Sequence, residues 1–448
     1  GIYRTEDGGK SWEHVLYVDA NTGANDIVFS MANPNTLYAS TWENYPDVKG
    51  AKSGVFKSED GGKTWHKIVN GITINEHTGR IGVAASWQDE NKAYIFVNQR
   101  NNSSSTGTGE IYKTEDGGKN WVRTHLKNIK ALSVIGWYFM DIYVSPKNDS
   151  EIYGLGVRMI HSVDGGKSFE YVGGVVTHLS PSPAQTLHLD HCELWINPLN
   201  PEELLLGNDG GLYQSYDGGK HWLHLNNIPT GEFYDIEINN QIPYTIYGGT
   251  QDDATVFGPN KERNPKLDDP WQYLWIDAWS GGDGCITLVD PTDNNTVYFS
   301  MQNGNARRLD LTKKKSISKR PRFSGEYQLN INYNFITPYL LDPHNSSTVL
   351  MAGNYVLESV DKGRSWKPIS SDLVAEAGKY GEMAAGALAV SPLDKNVIYM
   401  GTDKGTFWVT KNRGITWENK SDGLSSQYIR SIYPSKYKNG RVYMQMTG

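Results

Sequence analysis

The chain has 448 residues, more than one compact core usually fills, with a formal net charge of −7 and 21% charged residues. That balance offers no basic field for neutralising phosphates, which argues against nucleic acid as a partner, and no run reaches the roughly eighteen apolar residues of a membrane span. The 47 Gly, 27 Tyr and 14 Trp against 11 Phe describe short aromatic strands joined by glycine turns rather than amphipathic helices, so the expected class is all-β.

The opening residues GIYRTEDGGKSW already read as strand, turn and strand with no apolar leader before them. The chain is therefore expected to start inside a repeat, with any signal peptide upstream. The octet that begins at Thr5 recurs at Ser58, Thr114, Ser162, Ser215 and Ser359, with a weaker copy at Thr410. Its third residues are Asp7, Asp60, Asp116, Asp164, Asp217, Asp361 and Asn412. The one long interval, from Asp217 to Asp361, is about three repeat lengths, which implies two further repeats whose marker has decayed.

Upstream of each marker stands an apolar run, a Pro/Asn/Asp turn and a second apolar run, as in VFSMANPNTLYAS, LVDPTDNNTVYFS and AVSPLDKNVIYMG. This is a hairpin signal. The octet itself reads as a second hairpin: the Asp accepts turn N–H groups, the second Gly takes positive φ, and the aromatic residue returns to the packed face. Two hairpins per repeat make a four-stranded antiparallel blade, and blades around an axis make a β-propeller. Counting gives half a blade at each end with full blades between. Two rings fit the usual blade numbers better than one nine-bladed ring, with further blades or a partner segment expected at the chain ends.

The octet Ser/Thr-x-Asp-x-Gly-x-x-Trp is the Asp-box, or BNR repeat, found in sialidases, sortilin-type domains and tandem seven-bladed xyloglucanases. Together with ELWINPLNPEELLLGNDGGLYQSYDGGKHW and PYTIYGGTQDDATVFGP, it makes this chain resemble secreted bacterial sortilin-like or glycosyl-hydrolase-like BNR proteins. The resemblance implies parts of two tandem seven-bladed propellers, residues 1–225 and 226–448, working extracellularly or in the periplasm. Activity does not transfer with the fold. The arginine triad of a sialidase and the catalytic segments of the xyloglucanases have no clear match here.

Ligands of propellers usually bind where the first strand of each blade begins, and this singles out four segments. TLHLDHCELW offers His188 and Asp190 as metal ligands on one face of a strand, with His191 on the other. IGWYFMDIYV offers Trp137 and Tyr138 as stacking surfaces. GEFYDIEI and TQDDATV supply Glu232, Tyr234, Gln251, Asp252 and Asp253, and WSGGDGCITLVD places Asp283 in a glycine turn. Asp283 with Glu232 or Asp252 is the carboxylate pair a glycosidase would need.

Cys192 and Cys285 match no disulfide or metal spacing and read as buried thiols. No cofactor is expected. Asn101, Asn102, Asn148, Asn294, Asn345 and Asn419 stand in Asn-x-Ser/Thr, a pattern that suits surface turns. The expected function is an extracytoplasmic binding or scaffold protein recognising a polysaccharide or polypeptide. The alternative is a secreted glycoside hydrolase.

Overall fold

The structure is a computed structural model that describes residues 1–43, 50–99, 108–127, 129, 136–175, 186–225, 228, 230–260, 272–274, 282–313, 315–321, 329–376 and 384–447. The chain forms two compact units, Gly1–Pro229 and Thr230–Gly448. Among the described residues the only helix is the single turn Leu373–Glu376, and no helix is long and apolar enough to cross a membrane.

The first unit opens with the hairpin Ile2–Arg4 and Glu13–Leu16. Four-stranded antiparallel sheets follow, each in simple sequential order and starting with Thr22–Ser30, Thr78–Ala85, Asp141–Ser145 and His191–Ile196. In the second unit, equivalent sets of strands start with Phe233–Ile238, Gly282–Val289, Tyr339–Asp342 and Ala385–Val390, and a hairpin of Tyr428–Pro434 and Val442–Thr447 ends it. The sets led by Phe233 and Gly282 are joined by two parallel pairs, Asp253 with Gly282 and Ala254 with Asp283. Within each unit the first strands of successive sheets lie side by side, which is the arrangement of propeller blades around an axis.

Stacking explains why the second strands read as unbroken apolar runs: both of their faces are covered. In Ala93–Gln99 the alternation divides the side chains between two cores. Ile95 and Val97 meet Tyr38 and Val55 of the preceding sheet, whereas Tyr94 and Phe96 meet Ile142, Ile152 and Ile160 of the next. Tyr94 and Phe96 are fully buried, and truncating Phe96 to Ala is worth about 3–5 kcal/mol on core precedent.

The Asp-box turn connects the third and fourth strands and binds in three directions. Inside the turn, the Ser or Thr hydroxyl donates to the Asp Oδ1 and accepts the N–H of the second Gly, at 2.8–3.0 Å in every Asp-containing copy. The carboxylate also accepts the N–H four residues on, as from Thr64 to Asp60 at 2.9 Å. In the weaker copy Asn412 keeps this geometry, and its amide donates to the Thr416 hydroxyl at 2.8 Å. Within the blade, the first residue after the Asp donates its N–H to the hairpin between strands one and two, as from Gly117 to Asn91 O at 2.9 Å and Gly165 to Ser150 O at 2.8 Å.

The third direction is towards the preceding blade. A Cβ on Gly118 would sit 3.5 Å from Ile68, on Gly166 2.7 Å from the Thr124 hydroxyl, and on Gly219 3.1 Å from Val172. Glycine is required there by φ, which is 82–90° at the second position of the Gly-Gly boxes, and at Gly166 and Gly219 by close approach as well. The first position is left-handed too: Gly61 has φ 73°, and its counterparts Lys362 and Arg413 have φ 61° and 58°.

Between Asp217 and Asp361 one decayed marker is visible among the described residues. Asp310 accepts the N–H groups of Thr312 and Lys313 and the Thr312 hydroxyl in a shortened turn. The basic stretch after it contains the fourth strand Lys315–Ser318, and Lys319 is buried beneath Gly363 of the next blade. Cys285 is buried as expected, but Cys192 is exposed. Of the sequon asparagines, Asn345 and Asn419 are exposed and Asn294 is half-buried, while Asn101 and Asn102 lie outside the described residues.

Candidate functional site

At the start of the second unit, the turn Gln251–Asp252 joins Thr245–Thr250 to Asp253–Pro259. It is tight enough to need positive φ at Asp252 (55°) and Ala254 (58°). Gln251 donates its backbone N–H to Glu232 O at 3.0 Å, so the residue before the first strand and the turn after the second are fastened together. The parallel pairing of Ala254 with Asp283 brings the next blade's first strand to the same place. Glycine makes this approach possible, since a Cβ on Gly284 would lie 1.9 Å from Ala254 O.

Asp283 is the centre of the resulting network. It is 6% exposed, the second residue of its strand rather than part of a turn. Its Oδ1 accepts the Tyr234 hydroxyl at 3.3 Å and the Asp252 N–H at 3.2 Å, and its Oδ2 accepts the Gln302 amide. With the Gln251 amide oriented to satisfy its neighbours, its nitrogen donates to Tyr234 Oη at 3.2 Å and to the Glu232 carboxylate at 3.2 and 3.3 Å. Glu232 is exposed and Tyr234 half-buried, with the Tyr234 ring edge-on to Phe335 at 6.4 Å.

Burial, then the neighbouring Asp252, raises the Asp283 pKa above its ordinary value. Burial, then Asp283, pushes the Tyr234 phenol well above its ordinary value, so it stays a proton donor. The network fixes Asp283 and offers Glu232 and Gln251 to a ligand. Of the residues singled out from sequence, Asp283, Tyr234, Gln251, Glu232 and Asp252 thus meet in one place. Asp253 supports them as the first residue of the third strand. Gln302 and Phe335, on other segments, had no signal in the sequence.

In the first unit, Trp137 and Tyr138 are 48% and 58% exposed, with their rings edge-to-face at 5.6 Å. The face-sharing expected of His188 and Asp190 does not arise, because the strand begins only at His191 and Asp190 has φ 67°. The His188 ring instead meets Leu189 O at 3.1 Å through Nδ1. His191 is 2% exposed, and burial, then His188, lowers its pKa to about 4, so it is neutral.

Asp residues within two of the first strands tie neighbouring blades together. Asp26 Oδ2 accepts Val83 N–H at 2.8 Å, and Asp235 Oδ2 accepts Thr287 N–H at 3.1 Å. Each stands at a bulge, between Ala24 and Asp26 or between Phe233 and Asp235. The bulge turns the carboxylate towards the next blade.

The Sortilin-Vps10 family, described as sortilin, neurotensin receptor 3, matches residues 1–153. Xyloglucanase Xgh74A of Acetivibrio thermocellus is 22% identical over 266 residues, covering 53% of this chain and 30% of that protein. The chain thus spans under a third of the length of this curated relative. Among solved structures, the GH74 xyloglucanase from Xanthomonas campestris has 14% identity and a TM-score of 0.38, covering 89% of this chain and 53% of that one. The GH74 enzyme of Niastella koreensis has 15% identity and a TM-score of 0.32, covering 99% and 69%. The chain is an Asp-box β-propeller protein that resembles the xyloglucanases.

Proposed function

We propose that this chain is part of an extracytoplasmic protein that binds a polymer, a polysaccharide or a polypeptide, and that Glu232 and Gln251 of the second unit present the binding groups. The observation that carries this reading is the state of Asp283. It is buried and accepts three hydrogen bonds from Tyr234, Asp252 and Gln302, so it organises the site rather than facing a substrate. In the same reading the two units are parts of two tandem seven-bladed propellers, and the location is extracellular or periplasmic, in keeping with the Asp-box relatives.

One observation favours a second reading, a glycoside hydrolase. A carboxyl whose pKa is raised by burial and a neighbouring carboxylate has one property of a general acid, and both causes act on Asp283. Asp252 or Glu232 would then be its partner. The curated relative with 22% identity is a xyloglucanase, which makes xyloglucan the first polysaccharide to try.

The test is one set of variants with two readouts. Xyloglucan hydrolysis and binding to a glycan and peptide array are measured on the parent, Asp283→Asn, Glu232→Gln and Gln251→Ala. Binding lost in Glu232→Gln and Gln251→Ala, with no hydrolysis by the parent, supports the binding reading. Hydrolysis by the parent that Asp283→Asn abolishes without a change in melting temperature replaces it with the hydrolase. A parent that neither binds nor hydrolyses any of these polymers overturns both.

A further inference from the structure

The first unit has its own cluster of polar and aromatic groups where its first strands begin. Arg80 stands in the second blade's first strand, within the irregular step between Thr78 and Ile81. One end of its guanidinium, Nη1, donates to the carbonyl of Tyr138, fixing the turn that carries the exposed Trp137 and Tyr138 rings. Its Nε is buried and meets no acceptor among the described residues.

Two carboxyls from two other blades, Asp26 and Asp141, feel the charge of this cation, and Glu193 of a further blade acts on both. Glu193 is exposed and accepts the Tyr143 hydroxyl at 2.9 Å. Asp141 accepts its own strand's Ile142 N–H at 2.8 Å. A Cβ on Gly82 would lie 3.2 Å from the Asp141 carboxylate, so the second and third first strands meet here with only a hydrogen between them. Burial, then the charge of Asp26, raises Asp141 to about 7, with Arg80 opposing. A carboxyl raised in this way can hold a proton, and a protonated carboxyl donates as well as accepts.

We propose that this cluster binds an uncharged glycan, with a sugar ring stacked on Trp137 and Tyr138 and its hydroxyls bonded to Arg80 and to the carboxyls of Asp141 and Glu193. The chemistry selects against charge of either sign. A cationic ligand meets Arg80, and an anionic one meets Glu193 and the charge that the Asp26 and Asp141 pair retains. A sugar hydroxyl donates and accepts at once, which suits a guanidinium beside a proton-holding carboxyl, and the apolar face of a pyranose suits exposed aromatic rings. The proposal concerns a different site from the second unit's network, but it rests on the reading that this chain binds a polymer and narrows that polymer to a glycan.

The test is calorimetric titration of the full chain with cellohexaose, xylohexaose and deca-lysine. At least one hexasaccharide is expected to bind, and Trp137→Ala and Tyr138→Ala each weaken its Kd about tenfold or more. Their melting temperatures stay at the parent value because both side chains are half exposed. Trp137→Phe keeps most of the affinity, and Arg80→Gln loses it. Should Arg80→Gln fail to fold, the aromatic variants carry the result alone. Binding of deca-lysine without either hexasaccharide overturns the proposal in favour of a cationic peptide. Hexasaccharide binding that survives both alanine variants but disappears in Gln251→Ala also overturns it, and leaves the second unit's site standing. Binding of no probe removes this proposal, while array binding of a larger polymer would still support the broader reading.

Discussion

The same turn is fastened differently in the two units. In the first, the boxes at Asp60, Asp116, Asp164 and Asp217 have Gly at both positions after the Asp, and the Trp65 and Trp222 indoles donate back to their own turn, to Gly62 O and Gly219 O at 3.1 and 2.9 Å. In the second, the first Gly is replaced by Lys362 or Arg413, and the indoles of Trp366 and Trp417 reach the preceding blade, to Lys319 O and Ile369 O at 3.1 and 2.8 Å. The replacing cations reach the same way. Lys362 pairs with Asp290 at 2.9 Å, and Arg413 pairs with Asp342 at 2.5 Å and Glu358 at 2.7 Å.

Asp290 and Asp342 belong to the Asp-Pro hairpins of those preceding blades, and their side chains are 0% and 3% exposed. At the matching positions the first unit has Ser30, Ser86 and Ser145. A strained left-handed Lys or Arg is thus tolerated where it neutralises a buried carboxylate, and where none exists glycine serves. One sequence motif supports two kinds of blade contact, apolar in one unit and ionic in the other.

The largest effect is expected at Arg413. Arg413→Ala leaves the buried Asp342 and Glu358 without their shared cation, at a cost of about 3–5 kcal/mol, read from urea unfolding. A loss below about 1 kcal/mol would mean that the ionic contact holds nothing together. Gly414→Ala should come next, at about 2–3 kcal/mol, because a Cβ there would lie 2.2 Å from Ile369 O and φ is 92°. Its control is Gly8→Ala, where a Cβ meets nothing within 4 Å and only the φ strain of about 1 kcal/mol remains. Equal losses at the two sites would remove the blade-to-blade argument for glycine.

Lys362→Ala is expected to cost about 1–2 kcal/mol, since its side chain is 32% exposed and screened by solvent. This loss has a pH signature. Burial pushes Asp290 up, but bonds from Lys362 and Thr292 outweigh it and hold its pKa below the ordinary value. A lowered folded pKa gives stability above the unfolded value near 4 that disappears as pH falls. The difference between parent and Lys362→Ala should therefore shrink on acidification below about pH 4, and a gap that widens there would contradict the ion pair.

The smallest effect is expected from Asp116→Ala in the first unit. Asn120, through its N–H and then its amide, holds Asp116 at about 2, yet the turn is in solvent. A modest fall in melting temperature should appear at neutral pH and fade between about pH 4 and 2, the window between the two pKa values. An unchanged melting temperature at neutral pH would show that the box hydrogen bonds are replaced by water without loss.

Part of the candidate site was legible because turn chemistry and strand order put residues at blade starts. Glu232, Tyr234, Gln251 and Asp283 were visible as polar residues flanking first strands. Gln302 was not, since it stands in the turn after the second strand of the next blade and only the pairing of Ala254 with Asp283 brings it there. Asp26 was also missed, although the recurring Asp-Ile of Asp26-Ile27, Asp141-Ile142 and Asp235-Ile236 was a signal available in the sequence. The alternation argument failed at His188 and Asp190, because a period of two holds only inside a strand and the left-handed Asp190 precedes it.

The sequence alone determined the class, the four-stranded repeat and the chemistry of its turns, because hairpins and Asp-boxes are built from residues a few positions apart whose hydrogen bonds close locally. Tertiary structure alone decided what each turn grips and which carboxylates meet. The Arg413 to Asp342 pair spans 71 residues and the Tyr234 to Asp283 bond 49, and such contacts are set by how one blade stacks on the next, which no local pattern encodes.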